Sequence, residues 1–204
     1  MLPQPAPQIA AECEEFNRVE SSVEDTLHAL MAAFPYNRDL AHIHITVITI
    51  SQLYSARVLS IDAAPLARHI SSIPDLDDRL AAGDLSVVLS MYHCDTTSQK
   101  YYSFPTKFCS WHNPDAYSLW DNNVDEALWA YKKQDRFSKF KRQDLYNYPR
   151  LVEIVKEFLA FYGLSQSLKD VDKFLWRVGN ELLKAKKSAR ATTKKALSPS
   201  LGSS

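Results

Sequence analysis

The 204-residue sequence predicts an all-α fold, a helical bundle of one or two lobes, and three observations support this. Apolar residues recur with the period of a helix in most segments. Only four glycines are present, too few for the tight turns of a β-sandwich or a β-barrel. The hydrophobic content of 46% and the charged content of 24% are ordinary for a globular domain with a buried core.

Three helices are expected in the first third of the chain. Amphipathic patterns predict helices over residues 22–34 and 62–72. The intervening stretch 38–54 is rich in Ile, Val and Thr, which favours a strand. It is also long and contains no Gly, Pro or Asn, which favours a buried helix. We therefore expect a helix there.

Two further helices are expected near the C-terminus. Apolar residues at i, i+3, i+4 and i+7 run through residues 148–162, and Gly163 follows as a C-cap. The pattern repeats over residues 168–182, with Ser167 as the N-cap. Residues 94–102 and 132–146 lack this period and are interpreted as connectors.

Composition excludes several classes of protein. No run of about 18 apolar residues is present, so no membrane-spanning helix is expected. The first 15 residues lack the basic and apolar regions of a signal peptide. Three widely spaced cysteines form neither a disulfide framework nor a CxxC metal site, and an iron–sulfur cluster held by four cysteines is excluded by number. We expect a cytoplasmic protein with no metal and no cofactor.

The net charge of zero conceals an asymmetry along the chain. Residues 184–204 contain six Lys or Arg and no acid, whereas residues 1–183 contain 18 basic and 24 acidic residues. We therefore expect a helical domain over 1–183, followed by a basic disordered tail over 184–204. Such a tail could contact polyanions, or it could simply be solvated.

The segment of greatest chemical interest begins at residue 103. Phe104, Phe108 and Trp111 fall at i, i+4 and i+7, which predicts one apolar face of a helix. Lys107 lies about 40° from Trp111 on this helix, at the edge of the apolar face. Partial desolvation and a position in the first turns of a helix both lower the pKa of a lysine, as an amine nucleophile requires. The alternative is a lysine whose amine reaches water along an aromatic patch.

Asp121 is the expected N-cap of the next helix. It follows an Asn-Pro turn at residues 113–114 and precedes the helical pattern from residue 122. Backbone N–H groups at a helix N-terminus stabilise the ionised form of a capping carboxylate. Asp121 can therefore be a structural cap and a fixed negative charge at the same time.

Together these residues carry a resemblance to a known family. The pattern Thr106-Lys107-Phe108-Cys109, then Trp111-His112-Asn113-Pro114, Tyr117, Asp121 and Val124 resembles a bacterial branch of the 8-oxoguanine DNA glycosylases, within the helix-hairpin-helix superfamily. The convincing match covers about 25 residues, with looser similarity through residue 180. In this family a lysine that begins one helix and an aspartate that caps the next flank an extruded nucleotide. Lys107 and Asp121 are the matching positions.

The resemblance implies a DNA glycosylase with AP lyase activity, with a catalytic segment over residues 94–183. A nucleotide would be flipped from DNA into a cleft near residues 100–125, where Lys107 would attack C1′ and form a Schiff base. Asp121 would stabilise the cationic sugar. Relatives in bacterial antiviral operons suggest a role in defence. The sequence departs from the family in two respects. Residues 94–106 contain no glycine where a Gly-rich, phosphate-binding hairpin is expected, and residues 118–120 contain no proline where a Pro-containing turn is expected before the aspartate.

Other residues are weaker candidates for substrate contacts. Trp111, His112 and Asn113 follow Lys107 by about one turn and could contact a base or a phosphate, or belong to a structural turn. Lys100 stands where the hairpin is expected. The connector 132–146 alternates basic and aromatic residues, among them Arg136 and Lys139, and could bind phosphates or be a solvated loop. Residues 172–179 are interpreted as a packing helix.

Two functions outside glycosylase catalysis remain open at this point. The first is a catalytically silent nucleic-acid-binding or defence accessory module on the same helical fold. The second is a helical adaptor for protein partners with no nucleic-acid role, which would present a large exposed apolar patch.

Overall fold

The computed structural model describes residues 1–197, apart from the side chains at positions 17, 20, 21 and 192–197. Over these residues the chain is all-α, and the predicted fold class is confirmed. In chain order the helices are α1 (Pro5–Ala33), α2 (Leu40–Leu53), α3 (Ser60–Ser71), α4 (Leu76–Ala81), α5 (Ser86–Tyr92), α6 (Ser103–His112), α7 (Asn122–Asp135), a 3₁₀ turn (Arg142–Tyr146), α8 (Tyr148–Phe161) and α9 (Leu168–Leu197).

The predicted helices are present, with changes at their ends. The ambiguous stretch 38–54 is α2, which begins after the side chain of Asp39 accepts hydrogen bonds from the amides of Ala41 and His42. The helix predicted over 22–34 is only the second half of α1. Gly163 adopts φ +62° after α8, as a C-cap requires, and the hydroxyl of Ser167 accepts the amide N–H of Asp170 at the start of α9.

The predicted boundary at residue 183 requires correction. The helix α9 continues to Leu197, so residues 184–197 are helical and not a disordered tail, and residues 198–204 lie outside the described residues. Two features explain the extension. Ala, Lys and Arg, which dominate this stretch, are strong helix formers. In addition, the ammonium of Lys186 pairs with the carboxylate of Glu126 on α7.

The long helix α9 packs against α7 and α1, while α2 packs against α3 and α6. An aromatic cluster of fully buried Tyr131, Phe158 and Phe174 joins α7, α8 and α9. Gly179 has no Cβ, and this allows the backbone of α9 to contact the backbone of α7 at Asn123. None of the described helices is both long and apolar enough to span a membrane.

The approach to α6 is fixed by one carboxylate. Asp62 on α3 accepts hydrogen bonds from the amide of Ser98 at 2.7 Å, from the hydroxyl of Ser98 and from the hydroxyl of Tyr101. Phe104 and Phe108 then anchor α6 in the core with no exposed surface. The connector therefore fixes the position of α6. Phe104 and Phe108 hold the helix in the core, and Lys107 on the same helix lies near the segment that ends in Asp121.

Candidate functional site

A cavity of about 520 Å³ lies at the N-terminal half of α6, in the region predicted for the cleft. Its walls come from α1, the link between α2 and α3, α6, the start of α7 and α9. The residues that line it include Glu24, Tyr54, Arg57, Ser103, Lys107, Trp120, Asp121, Asp172, Trp176 and Lys187. The cavity therefore combines residues that are far apart in the sequence, since Glu24 and Lys187 are 163 positions apart.

Lys107 is the buried cation of this cavity. The residue is only 4% exposed, and its Nζ lies 4.0 Å from Oδ2 of Asp121. The ammonium donates a hydrogen bond of 2.7 Å to the backbone carbonyl of Tyr54. Burial lowers the pKa of Lys107, and the neighbouring charge of Asp121 partly opposes this effect. The amine is therefore held in one place and is more readily deprotonated than a surface lysine.

Asp121 caps α7, as the sequence predicts. Its Oδ1 accepts the amides of Asn123 at 2.8 Å and Val124 at 2.9 Å, which leaves Oδ2 to face Lys107. A second tie fixes the spacing of the pair, because the buried hydroxyl of Thr106 accepts the amide N–H of Trp120 at 3.1 Å. Thr106 directly precedes Lys107, and Trp120 directly precedes Asp121. The hydrogen bond between Thr106 and Trp120 therefore fixes the chain directly before each member of the pair.

Asp172 is a cavity residue that sequence reasoning missed. Residues 172–179 were expected only to pack, but Asp172 and Trp176 line the cavity from the first turns of α9. One oxygen of Asp172, Oδ1, is buried with no hydrogen-bond partner. Burial raises the pKa of Asp172 well above its usual range, and the nearby charge of Asp121 acts in the same direction. The sequence feature that could have identified Asp172 is an acidic residue beside the apolar face of a helix.

Two more polar atoms of the cavity residues lack partners. The indole Nε1 of Trp120 and the hydroxyl of Ser103 are both buried without a hydrogen bond. Trp120 as a whole is only 8% exposed, so its N–H group has lost water and gained nothing from the protein. Buried polar groups in folded proteins almost always have partners. Three residues that line one cavity therefore each carry a polar group that the protein leaves unpaired.

The weaker candidates around α6 lie elsewhere. The amide of Asn113 donates to the carbonyls of Leu80 and Ala81 at 3.1 Å. Nδ1 of His112 bonds the carbonyl of Phe108 at 2.9 Å, and Nε2 accepts from the side-chain amide of Asn37 at 3.0 Å. Burial lowers the pKa of His112, in keeping with a neutral ring. Both residues therefore hold the end of α6 in place, and they are not among the residues that line the cavity.

Trp111 and Lys100 also lie outside the cavity lining. The ring of Trp111 packs edge-on against Tyr54, with centroids 5.8 Å apart, and so supports a cavity wall from behind. The ammonium of Lys100 bonds the carbonyl of Cys94 at 3.0 Å and the carboxylate of Asp95 at 2.7 Å within its own connector. The geometry of the cavity therefore does not support the prediction that Trp111 and Lys100 contact substrate.

Arg136 and Lys139 line a second, shallow depression at the other end of α7. They share it with Lys132, Lys133 and Lys141. Because α7 has 14 residues, this depression lies about 20 Å along the helix from Asp121. The two cations therefore do not join the Lys107 site.

The arrangement suits nucleophilic chemistry by an amine. A buried and fixed lysine, whose pKa is lowered by burial, stands beside an anion, and a carboxyl group whose pKa is raised by burial lies in the same cavity. Within the described part of the chain, no group of three or more His, Cys, Asp or Glu side chains is placed to hold a metal ion.

Comparisons with known proteins identify a family. A family model named HI_0787_N, described as an N-terminal domain, matches residues 8–116, just over half of the chain. A curated relative from Haemophilus influenzae, which carries the name "Uncharacterized protein", is 36% identical over 140 residues. The aligned region covers 68% of this chain and 66% of that relative, so the chain spans about two thirds of its length. No solved structure matches.

The matched family region contains Lys107 and the Tyr54 carbonyl that holds it, but it ends before Asp121 and Asp172. The cavity is therefore built jointly by the matched region and by the rest of the chain. Since the match covers more than half of the sequence, the chain belongs to the HI_0787_N family.

Proposed function

We propose that this protein is a DNA glycosylase/AP lyase-like enzyme that removes a base through a Schiff base on Lys107. The observation that carries the proposal is the distance of 4.0 Å between Nζ of a buried lysine and Oδ2 of a helix-capping aspartate at one cavity. This juxtaposition of a nucleophile and a charge partner is what the resemblance to helix-hairpin-helix glycosylases implies for Lys107 and Asp121.

The reaction would proceed in two covalent steps. The neutral amine of Lys107 attacks C1′ of the sugar, the bond from C1′ to the base breaks, and the electron pair leaves with the base, which takes up a proton. A proton then passes from the new C–N bond to the ring oxygen O4′ as the C1′–O4′ bond breaks, which opens the sugar and leaves an iminium ion. Abstraction of a proton from C2′ then breaks the C3′–O bond and releases the 3′ phosphate, which nicks the strand.

Two carboxyl groups would assist at different points. Asp121 lies beside the position where the sugar becomes cationic, and an anion fixed by two backbone amides stabilises that charge without rearrangement. Burial raises the pKa of Asp172, so this carboxyl is better suited than an exposed one to supply the proton that the departing base requires. The cavity, at about 520 Å³, is within the range of pockets that hold small molecules, and a nucleoside is of that class.

A trapping experiment tests this function. The wild-type protein is incubated with duplex DNA that contains an abasic site, in the presence of cyanoborohydride, which reduces an iminium ion to a stable amine. We expect a covalent protein–DNA adduct on a denaturing gel, with the modification mapped to Lys107 by mass spectrometry. Undamaged duplex is the control. If wild-type protein forms no adduct with abasic DNA or with any of a panel of modified bases, the proposal is wrong.

The pH dependence of trapping gives a separate prediction for Asp121→Asn. The attacking amine must be neutral, and the charge of Asp121 raises the pKa of Lys107 by favouring the ammonium form. Removal of that charge lowers the pKa of Lys107, so the pH at which trapping reaches half its maximum should move to lower values. The maximal rate should fall at the same time, because the cationic sugar loses its stabilising anion.

The measurement is the initial trapping rate between about pH 5 and pH 9, with Asp115→Asn as a control for loss of an exposed carboxylate outside the cavity. A fall in rate with no shift of the midpoint would show that Asp121 does not interact with the attacking amine.

One observation favours a different function, a catalytically silent nucleic-acid-binding module. The ammonium of Lys107 is hydrogen-bonded to the Tyr54 carbonyl, and this bond could serve only to join α6 to the end of α2. In that case DNA binding should persist without an adduct in the wild type. The trapping experiment therefore separates the two functions directly.

A further inference from the structure

Two exposed cations lie among the residues that line the cavity. Arg57 belongs to the link between α2 and α3, and Lys187 belongs to α9. Neither forms an ion pair with any acid whose side chain the structure describes. By contrast, two other cations on α9 form ion pairs, since Lys169 contacts Glu24 at 2.7 Å and Lys186 contacts Glu126. Arg57 and Lys187 are thus available to a ligand.

The face of α9 that lines the cavity leads outward to these charges. Asp172, Trp176, Leu183 and Lys187 fall within about 60° of one another on the helix, and they extend over about 22 Å. Arg190 follows Asp172 by 18 residues, which is five complete turns, so it returns to the same face and is exposed. The sequence of side chains along this face is therefore acidic and aromatic inside the cavity and basic beyond it.

Arg57 is held in place by an unusual backbone. Ser55 and Arg57 both adopt positive φ, +50° and +58°, which costs a non-glycine residue on the order of 1 kcal/mol or more each. The link is fixed by the hydroxyl of Ser51, which accepts the amide of Val58 at 3.0 Å and donates to its carbonyl at 3.3 Å. The guanidinium is therefore presented beside the cavity from a constrained loop.

The interior of the cavity would repel a phosphate. The carboxylates of Glu24 and Asp121 line it, whereas the available cations are exposed. The unpaired buried groups at Trp120 and Asp172 suit a neutral polar group such as a base or a sugar. A nucleotide that places its base and sugar among these groups must leave its phosphates near the exposed cations.

We propose that Arg57 and Lys187 bind the phosphates of the strand on either side of the nucleotide that enters the cavity, and that Arg190 contacts a phosphate further along the same strand. This inference rests on the proposed function, because it takes DNA as the ligand. These three cations would take the place of the Gly-rich, phosphate-binding hairpin, which this chain lacks because residues 94–106 contain no glycine. Guanidinium and ammonium groups are the usual partners of backbone phosphates.

The test is DNA binding as a function of salt. The probe is a duplex with a tetrahydrofuran residue, which mimics an abasic site but cannot form a Schiff base, and affinity is measured by fluorescence anisotropy. Each lost phosphate contact should reduce the slope of log affinity against log salt by about 0.7–0.9. We expect that reduction for Arg57→Gln and for Lys187→Gln, and recovery of most of the slope in Arg57→Lys.

Lys184→Gln is the matched control. Lys184 is also an exposed lysine on α9, only three residues from Lys187, but it is not among the residues that line the cavity. If Arg57→Gln and Lys187→Gln both keep the slope of Lys184→Gln, or if the wild type does not bind this DNA even at low salt, the inference is wrong.

The outcome is independent of catalysis. Adduct formation together with unchanged salt slopes would retain the lyase and reject the phosphate sites. Reduced slopes in a protein that never forms an adduct would retain the phosphate sites and reject the lyase.

Discussion

Lys107→Met should abolish covalent trapping while leaving the protein folded and at least as stable. Methionine has a similar length and fills the same buried space, but it has no amine to attack C1′. We expect the trapping rate to fall by more than about 10³-fold, the scale of loss seen when an enzyme's nucleophile is removed. Initial rates of adduct formation and thermal unfolding curves measure the two effects.

The stability expectation follows from the burial of the amine. Burial lowers the pKa of Lys107 in the folded state, so the unfolded chain binds a proton more tightly than the folded chain does. Wild-type stability should therefore rise as the pH increases towards the unfolded value of about 10.4, and Lys107→Met should lose this dependence. A fall in Tm at neutral pH would show that the hydrogen bond to Tyr54 stabilises the fold more than burial of the amine destabilises it.

Lys156→Met is a suitable control for this experiment. Lys156 is an exposed residue on α8, so its substitution removes one positive charge without touching the cavity. Trapping by this variant should match that of the wild type. Residual trapping by Lys107→Met at a rate near the wild-type rate would mean that another amine forms the adduct.

Gly179→Ala should strongly destabilise the protein and also impair the site. A Cβ at position 179 would lie 1.9 Å from the carbonyl oxygen of Asn123 and 2.5 Å from its carbonyl carbon. Both atoms belong to the backbone, so the clash cannot be relieved by a side-chain rotation. We expect a loss of about 3 kcal/mol or more in the free energy of unfolding, at the upper end of overpacking effects. Chemical denaturation curves measure it.

The effect on the site follows from the position of Asn123. Its amide donates one of the two hydrogen bonds that fix the carboxylate of Asp121. Movement of Asn123 away from α9 must therefore move Asp121 relative to Lys107. Trapping measured on the fraction of folded protein should fall as well.

Gly163→Ala provides the comparison for this substitution. No atom lies within 4 Å of a Cβ at Gly163, although its φ of +62° makes any side chain unfavourable by about 1 kcal/mol. Its effect should be smaller and confined to stability. If Gly179→Ala were no more destabilising than Gly163→Ala, the close contact between α9 and α7 would be in error.

Gly179 also illustrates the limit of local reasoning. A glycine inside a helix normally costs about 0.5–1 kcal/mol relative to alanine, so the sequence alone predicts that Gly179→Ala stabilises α9. The sign is reversed by a contact with residue 123, which is 56 positions away. No periodic pattern carries that information.

For the candidate site, the sequence alone predicted the two groups whose positions follow from local rules. Asp121 is where a helix begins, and Lys107 is at the edge of an apolar stripe, and both properties depend on a few neighbouring residues. The same rules predicted α2 as a helix and Gly163 as a C-cap. They hold because helix formation and capping are short-range effects.

Only the tertiary structure decided which other groups share the cavity with this pair. Asp172 and Trp176 line it because α9 packs against α7 and α1, whereas His112 turns instead to Asn37, and Lys100 bonds within its own connector. The helical extension of α9 beyond residue 183 likewise includes an ion pair with α7. These placements depend on how distant helices pack, and a periodic sequence pattern identifies a buried face without specifying the surface against which it packs.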